Sequence, residues 1–190
     1  KGAAVSTEMV AYLASLETVA KVDADVAKRI VAELNDQRTH LKMIASENYS
    51  SLATQLTMGN LLTDKYAEGF PHHRFYAGCD NVDEIEAKAV QYAKDLFGSD
   101  HAYVQAHSGA DANMLAYWVI LSKKIQEPAL EKLGITDPSK LSDEEWSKLR
   151  AELGNQKLIG LNYYSGGHLT HGYRHNVSAR MFDCICYDVD

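Results

Sequence analysis

Four side chains that could bind an anion and move a proton lie close together in the chain. They are Tyr66, Glu68, Arg74 and Tyr76, which are two phenols, a carboxylate and a guanidinium. A carboxylate beside a phenol can accept and return a proton, and a guanidinium can bind an anion. The competing interpretation is a solvated loop in which Glu68 pairs with Arg74 at the surface. The loop by itself is compatible with both.

A second candidate is the turn that precedes an apolar helix predicted over residues 114–125. Here Ser108 and the backbone amides of Gly109 and Ala110 would lie at a helix N-terminus. Free N–H groups and the helix dipole favour an anion such as phosphate at that position. The alternative is that Ser108 only caps the helix, with Asp111 completing a Ser-x-x-Asp box.

A third candidate is the glycine-rich run of residues 166–172, with the sequence GGHLTHG. Its glycines allow a close backbone approach, and His168 could lie flat against a flat aromatic ligand. A zinc site would pair His168 and His171 with Cys184 or Cys186, but these residues lack the spacing of zinc fingers or ribbons, so no metal site is predicted. The run could also be a turn with a core histidine.

The elements that position these groups begin with two amphipathic helices before residue 40. Asp23 lies at the start of the second helix and Arg38 at its end, as the helix dipole favours. Residues 46–80 lose this periodicity, so a short helix near residues 52–61 and a long structured loop are predicted. Ser46 is either a helix cap or a polar group placed at a site.

Further along the chain, helices and strands alternate, which is typical of α/β folds. A helix around residues 85–96 ends at Gly98. The helix over residues 114–125 is apolar nearly all round from Met114 to Leu121, so it should be buried. Residues 126–156 are charged and contain a capped helix after Ser142, which predicts a surface insertion. Strands are predicted over residues 102–106, 157–161 and 184–189.

Composition limits the class of protein. The chain has 190 residues, 46% of them hydrophobic, and a formal charge of −7. The acidic balance disfavours nucleic acid as a partner, and no apolar stretch approaches the length of a membrane span. Three cysteines, Cys79, Cys184 and Cys186, fit reduced thiols in the cytoplasm. The first residue is Lys1 and the last residues read as a strand with nothing after it, so both ends are expected to be cut.

Several of these segments occur together in an order that resembles one family. The segments are residues 44–49 (IASENY), Leu56 with Thr57, residues 65–71 (KYAEGFP), 74–78 (RFYAG), 83–86 (DEIE), 108–113 (SGADAN) and 166–172 (GGHLTHG). In this order they resemble serine hydroxymethyltransferase, over roughly residues 31–190 apart from the insertion.

The resemblance implies a fold-type-I pyridoxal-phosphate transferase, similar to aspartate aminotransferase, that interconverts serine and glycine and passes the one-carbon unit to tetrahydrofolate. It implies a homodimer, or a tetramer, whose sites are each built from two chains. Residues 1–60 would form an N-terminal helical arm, and residues 61–190 would begin the cofactor-binding large domain, with the insertion at 126–156. The alternatives are a folate-independent aldolase of the same fold and a non-catalytic fragment or pseudoenzyme.

The resemblance also implies roles for individual residues. Glu68 would be the acid/base group near the substrate hydroxyl, with Tyr76 beside it, and Tyr66 would reach the phosphate of the neighbouring subunit's cofactor. Pyridoxal phosphate would be held by Ser108, Gly109, Ala110 and His168, and the substrate by Ser46 and Glu68. Folate would contact Tyr163, Gly167, His168, Leu169 and Phe75.

The sequence differs from the family pattern at three of these positions. Ala110 replaces a common serine, Phe75 a tyrosine, and Tyr163 a smaller apolar residue. The family's cofactor lysine is absent, and the aspartate for the pyridine nitrogen and the arginine for the substrate carboxylate are expected beyond Asp190. We therefore expect residues 1–190 alone not to attach the cofactor covalently.

Overall fold

The computed structural model describes residues 4–189, which form two compact units. The first ends at Lys88 and the second begins at Ala89, so the boundary falls within one helix. Each unit is described by itself. The arm of residues 1–60 and the large domain from residue 61, expected from the resemblance, stay a prediction.

The first unit begins with the two predicted amphipathic helices, α1 (Thr7–Val22) and α2 (Ala24–Thr39), which pack against each other. Asp23 separates them, and its carboxylate accepts hydrogen bonds from the backbone N–H groups of Asp25 and Val26. The prediction of both helices and of the acidic start of the second is confirmed. The short helix α3 (Leu52–Met58) follows and is also confirmed, with a 3-10 turn at Leu61–Asp64.

A small hairpin and a long helix complete the first unit. Strands β1 (Gly69–Phe70) and β2 (His73–Arg74) pair in antiparallel orientation. His72 has a φ of 62°, which after Pro71 matches the third position of a type II turn. Helix α4 (Asp80–Phe97) then ends at Gly98, which adopts the left-handed conformation, as predicted.

The second unit is mainly helical in its first half. Helix α5 (Gly109–Leu121) runs through a π-helical turn at Ser122–Gln126 into α6 (Glu127–Leu133), and α7 (Asp143–Gly154) follows. The expected helix over residues 114–125 is present, but its expected burial is wrong. Val119 is 68% exposed and Ile120 57% exposed, and Leu121 is the only residue of α5 described as buried. An all-round apolar sequence requires cover on every side, and in the described residues the second unit covers only part of α5.

The second unit has a buried apolar cluster, formed by residues of these helices and of the segment between α6 and α7, together with Phe182. It consists of Leu121, Leu130, Leu141, Leu149, Leu153 and Phe182. Four of the six belong to residues 126–156, the segment predicted as a surface insertion. The predicted capping box is confirmed, since Ser142 Oγ accepts from the Glu145 N–H and the Glu145 carboxylate accepts from the Ser142 N–H. This segment therefore contributes to packing, and its status as an addition stays a prediction.

Two parallel strands confirm the α/β class. Strand β3 (Lys157–Leu161) pairs with β4 (Asp183–Tyr187) in the register Leu158 to Cys184. The crossover contains two short helices, α8 (Leu169–Gly172) and α9 (Val177–Met181). The strand predicted over residues 102–106 is wrong, since that segment is irregular. A strand forms only beside another strand, and the strand pairs found within residues 4–189 are β1 with β2 and β3 with β4.

Among residues 4–189, no helix is long and apolar enough to cross a membrane.

Candidate active site

Arg74 is the most deeply buried charged side chain near the predicted proton-transfer loop, with only 4% of its side chain exposed. Its Nε donates to Asp83 Oδ1 at 2.7 Å and its Nη2 to Glu86 Oε2 at 2.6 Å. Asp83 and Glu86 lie three positions apart on α4 and so share one face of the helix. The surface pair of Glu68 with Arg74, one of the two interpretations of the loop, is wrong, because the guanidinium is bound to these two carboxylates.

The same guanidinium also binds the backbone around Glu68. Nη1 of Arg74 donates to the carbonyl of Ala67 and to the carbonyl of Gly69, each at 2.9 Å. The Phe75 N–H donates to the Glu68 carbonyl at 3.1 Å. Hydrogen bonds therefore fix the backbone at Glu68 and on both sides of it.

The electrostatics of this buried group favour the ionised form of Asp83. The guanidinium of Arg74, and next the backbone N–H of His72, hold the pKa of the Asp83 carboxyl below its usual range. Asp83 Oδ2 accepts from the His72 N–H at 2.9 Å, so the same carboxylate also fixes the hairpin turn. Glu86 and Asp83 in turn raise the pKa of Arg74.

The three predicted catalytic side chains come together on the outer side of this loop. The Tyr76 hydroxyl lies 3.4 Å from Glu68 Oε2, which is a long hydrogen bond. The rings of Tyr66 and Tyr76 meet edge to face, with their centroids 5.2 Å apart. All three side chains are accessible to solvent, and the less exposed of the two phenols, Tyr76, is 50% exposed. A carboxylate and a phenol thus share a solvent-facing site on a fixed backbone.

The helix N-terminus predicted to bind phosphate is the start of α5. Ser108 is its N-cap, and Ser108 Oγ accepts from the Asp111 N–H at 3.1 Å. The N–H groups of Gly109 and Ala110 belong to the first turn of the helix, where backbone N–H groups have no hydrogen-bond acceptor within the helix. A Cβ built on Gly109 meets nothing within 4 Å, so the space before the helix is open. The cap interpretation of Ser108 is confirmed, and phosphate binding stays a prediction.

His168 lies at the start of α8 with its ring exposed. Its Nδ1 accepts from the Thr170 N–H at 3.2 Å, so the neutral ring carries its proton on Nε2. The His171 ring lies 5.7 Å away, between centroids, with a tilt of 36°. Hydrogen bonding at Nδ1 fixes the orientation of His168 while the ring stays accessible.

The glycines around His168 serve the packing of the chain itself. A Cβ on Gly167 would lie 1.8 Å from the Leu161 carbonyl oxygen, and one on Gly172 would lie 2.3 Å from the same atom. Two segments of the glycine-rich run therefore lie against the end of β3. The close backbone approach predicted for these glycines is real, and its partner is the last residue of β3.

The remaining predicted site residues occupy separate places. Ser46 lies in an exposed turn closed by a hydrogen bond from the Glu47 N–H to the Ile44 carbonyl at 2.9 Å. Phe75 is 77% exposed in the first unit. In the second unit Leu169 is half exposed, and the Tyr163 ring contacts the Tyr173 ring at 5.4 Å.

In the part of the chain that the structure describes, the histidines and cysteines form no group suited to a metal. No cluster of three or more His, Cys, Asp or Glu side chains that could hold an ion is found within residues 4–189. The three cysteines are free thiols, and the Sγ atoms of Cys184 and Cys186 are 3.7 Å apart. Burial raises the pKa of the Cys184 thiol, and its contact with Cys186 adds to that effect.

Three contributors to this geometry were not anticipated from the sequence: the pairing of Arg74 with Asp83 and Glu86, the Thr170 amide at His168, and a hydrogen bond from Asn113 to Thr170. The first had a usable signal. Asp83 and Glu86 are three residues apart at the start of the helix predicted around residues 85–96, and an arginine lies shortly before them. The contact of the Thr170 amide with His168 is local, between residues two apart, but no sequence signal for it was used. The bond from Asn113 to Thr170 joins segments 57 positions apart and left no local pattern.

Comparison with known proteins identifies the family of this chain. The family model for serine hydroxymethyltransferase matches residues 19–141. The chain is 61% identical over 186 residues to the serine hydroxymethyltransferase of Treponema pallidum (strain Nichols). It is 53% identical over 181 residues to that of Chlamydia pneumoniae, and 51% identical over 185 residues to that of Salinispora tropica. The chain belongs to the serine hydroxymethyltransferase family.

These matches cover nearly all of this chain but only part of each relative. The match to the Treponema pallidum protein covers 98% of this chain and 32% of that relative. The corresponding shares are 95% and 36% for the Chlamydia pneumoniae protein, and 97% and 39% for the Salinispora tropica protein. The chain thus spans about a third of the length of the curated relatives it matches.

Proposed function

We propose that the full-length protein containing residues 1–190 interconverts serine and glycine and transfers the one-carbon unit to tetrahydrofolate, using pyridoxal phosphate. Family membership supports the reaction class. The observation that carries the proposal is the contact of Tyr76 with Glu68 on an exposed loop whose backbone is fixed by Arg74. A positioned carboxylate and phenol are suited to proton transfer.

The residues of the second unit suit the proposed cofactor. The N–H groups of Gly109 and Ala110 and the dipole of α5 would hold its phosphate, because the space before this helix start is open. Ser108 Oγ accepts from Asp111, which leaves the hydroxyl hydrogen to donate to a phosphate oxygen. The exposed ring of His168 would stack on the pyridine ring. When bound, the cofactor supplies an electron sink for carbanion chemistry.

The loop of the first unit would handle protons at the substrate hydroxyl. Glu68 is the proposed acid/base group, with an Oε atom that takes or returns the proton. Tyr76 donates a hydrogen bond to Oε2 of Glu68 and so orients the carboxylate. Tyr66, in edge contact with Tyr76, would reach the cofactor phosphate of a neighbouring subunit.

The remaining assignments are also part of the proposal. Ser46 would contribute to substrate binding with Glu68. Tyr163, Gly167, His168, Leu169 and Phe75 would contact folate. We further propose a cytoplasmic fold-type-I enzyme that forms a homodimer, or a tetramer, with residues 1–60 as its arm, residues 61–190 as the start of its large domain and 126–156 as an insertion.

The experiment compares serine turnover by the full-length protein, loaded with pyridoxal phosphate, with and without tetrahydrofolate. We expect glycine formation to depend on tetrahydrofolate, and Glu68→Gln to lower kcat by roughly 10²-fold or more. Glu47→Gln, at another exposed position of the first unit, is the control for loss of a carboxylate. Turnover unaffected by Glu68→Gln would contradict the assignment of the acid/base group.

A second candidate is folate-independent aldol cleavage on the same fold. Phe75 and Tyr163, the two departures from the family pattern at proposed folate contacts, favour it. The same assay separates the two reactions, since an aldolase would cleave its hydroxy-amino acid equally well without tetrahydrofolate.

A further inference from the structure

We propose that Arg74 is a positioning residue that holds Glu68 in place for proton transfer, with Asp83 and Glu86 as the anchor of its guanidinium. This inference rests on the proposed function, in which Glu68 is the acid/base group. It assigns no contact with substrate or cofactor to Arg74 itself.

The first step of the argument is the pattern of contacts around Glu68. The carbonyls before and after it, those of Ala67 and Gly69, both accept from Nη1 of Arg74 at 2.9 Å. Its own carbonyl accepts from the Phe75 N–H at 3.1 Å, in the residue that follows Arg74. The main chain of Glu68 is therefore held at three consecutive carbonyls, while its side chain stays in solvent.

The second step is the rigidity of the guanidinium. Two carboxylates on one face of α4 bind it at 2.7 Å and 2.6 Å, and only 4% of the Arg74 side chain is exposed. Asp83 has 8% and Glu86 16% of the side chain exposed. Planar guanidinium groups bind in fixed directions, and a lysine ammonium cannot reproduce that set of contacts. The helix thus fixes the guanidinium, and the guanidinium fixes the loop.

The third step is the backbone conformation next to Glu68. Gly69 has a φ of 106°, and a Cβ there would lie 2.4 Å from the His73 carbonyl oxygen. Glu68 thus precedes a glycine in the left-handed region at the start of β1, where a small change of backbone angle would swing its side chain away from Tyr76. Misplacing a catalytic group by about 1 Å can cost roughly 10²-fold in rate.

The test is a double-mutant cycle in the full-length protein loaded with pyridoxal phosphate, with serine and tetrahydrofolate as substrates. Arg74→Lys should lower kcat by about tenfold to 10²-fold with little change in KM for serine, because it displaces Glu68. In the Glu68→Gln background, Arg74→Lys should cause no further loss. An equal further loss in that background would show that Arg74 acts by another route and overturn the inference.

A second measurement does not depend on catalysis. Hydrogen exchange at the Phe75 amide, which is bonded to the Glu68 carbonyl, should be about tenfold faster in Arg74→Lys and in the milder Glu86→Gln. Amides within α1 and α2 should keep their rates, and the exposed Arg29→Lys is the matched control. Unchanged Phe75 exchange in both variants would overturn the inference whatever the turnover.

The two measurements separate the inference from the proposed function. If Glu68→Gln leaves turnover intact while Phe75 exchange still responds to Arg74, the acid/base assignment fails and Arg74 still positions the loop. If Glu68→Gln abolishes turnover and neither Phe75 exchange nor the cycle responds to Arg74, the proposed function stands and the positioning role fails.

Discussion

Asn113 donates a hydrogen bond from its side-chain amide to the hydroxyl of Thr170, 57 positions later in the chain, at 3.5 Å. Thr170 is 1% exposed, and its N–H donates to His168. This pair of residues thereby connects the first half of α5, at whose start Ser108 lies, with the loop that carries His168. Within one unit, the partly buried Asn113 and the buried Thr170 thus link the two proposed contacts to the cofactor.

Removing the hydroxyl of Thr170 should weaken this connection. Thr170→Val is close in volume, so it deletes the hydrogen bond and leaves the Asn113 amide without this acceptor. We expect a loss of about 1 kcal/mol in the free energy of unfolding. Urea denaturation measures it. Thr18→Val is the control, because the Thr18 hydroxyl bonds a helix carbonyl at an exposed position and its loss should change stability by less than about 0.5 kcal/mol.

Gly167 and Gly172 lie so close to the Leu161 carbonyl that neither position should tolerate a side chain. Gly167→Ala and Gly172→Ala would each place a Cβ within 2.3 Å of that oxygen or closer, so the loop must move away from β3. We expect each to cost more than about 3 kcal/mol in thermal or urea unfolding. Gly154→Ala, at an open position in α7, should instead be neutral or stabilise by up to about 1 kcal/mol. Equal effects at all three positions would contradict this packing.

The lowered pKa of Asp83 predicts a loss of stability in acid. The folded state holds this carboxyl ionised below its unfolded pKa, which is about 3.9. Its contribution is therefore fully present above that value and is lost as pH falls through the lower pKa of the folded state. Urea unfolding of wild type between pH 6 and pH 2.5 should show this decline below about pH 4.

Asp83→Asn tests whether protonation of Asp83 causes the loss of stability in acid. It should lower stability at neutral pH, because the guanidinium of Arg74 loses a charged partner, and it should flatten the decline below pH 4. Asp25→Asn, with the same change of net charge on an exposed side chain, is the control. A wild-type slope retained in Asp83→Asn would show that other groups cause the acid sensitivity.

Two serine caps allow phosphate binding to be separated from helix capping. Ser108 caps α5 and Ser142 caps α7, so Ser108→Ala and Ser142→Ala should each cost about 1 kcal/mol of stability. Only Ser108→Ala should weaken binding of pyridoxal phosphate, by about tenfold in Kd, which corresponds to about 1.4 kcal/mol for the lost hydrogen bond. Titration of the full-length protein with the cofactor measures Kd. Equal Kd values in the two variants would leave Ser108 a cap alone.

Helices α1, α2, α4 and α7 could be predicted because their signals are local, whereas α6, α8 and α9 were not predicted. The apolar spacing of α1, α2 and α4, the carboxylate of Asp23 and the Ser142–Glu145 box all lie within the segments they define. The strand expected over residues 102–106 failed because strand formation depends on a partner elsewhere in the chain. The burial of α5 failed for a related reason, since sequence shows that a helix needs cover but not whether neighbouring elements supply it.

The chemical groups of the candidate site could be predicted from the sequence, but the contacts that hold its loop in place could not. Glu68, Tyr66 and Tyr76 could be named because carboxylates and phenols are recognisable as chemical groups, and they do lie together. The partner of Arg74 could not be chosen by proximity in sequence, because Glu68 is nearer along the chain than Asp83. Only the folded hairpin turns the guanidinium toward α4.

The sheet of β3 and β4 has two strands in the part of the chain that the structure describes. Each strand has one paired edge and one outer edge whose backbone N–H and C=O groups have no strand beside them, and Ile159 and Ile185 are 69% and 46% exposed. Open edges of this kind recruit further strands from neighbouring molecules. In concentrated solution residues 1–190 alone will therefore tend to associate edge to edge and aggregate, and salts that screen their negative charge will accelerate the process.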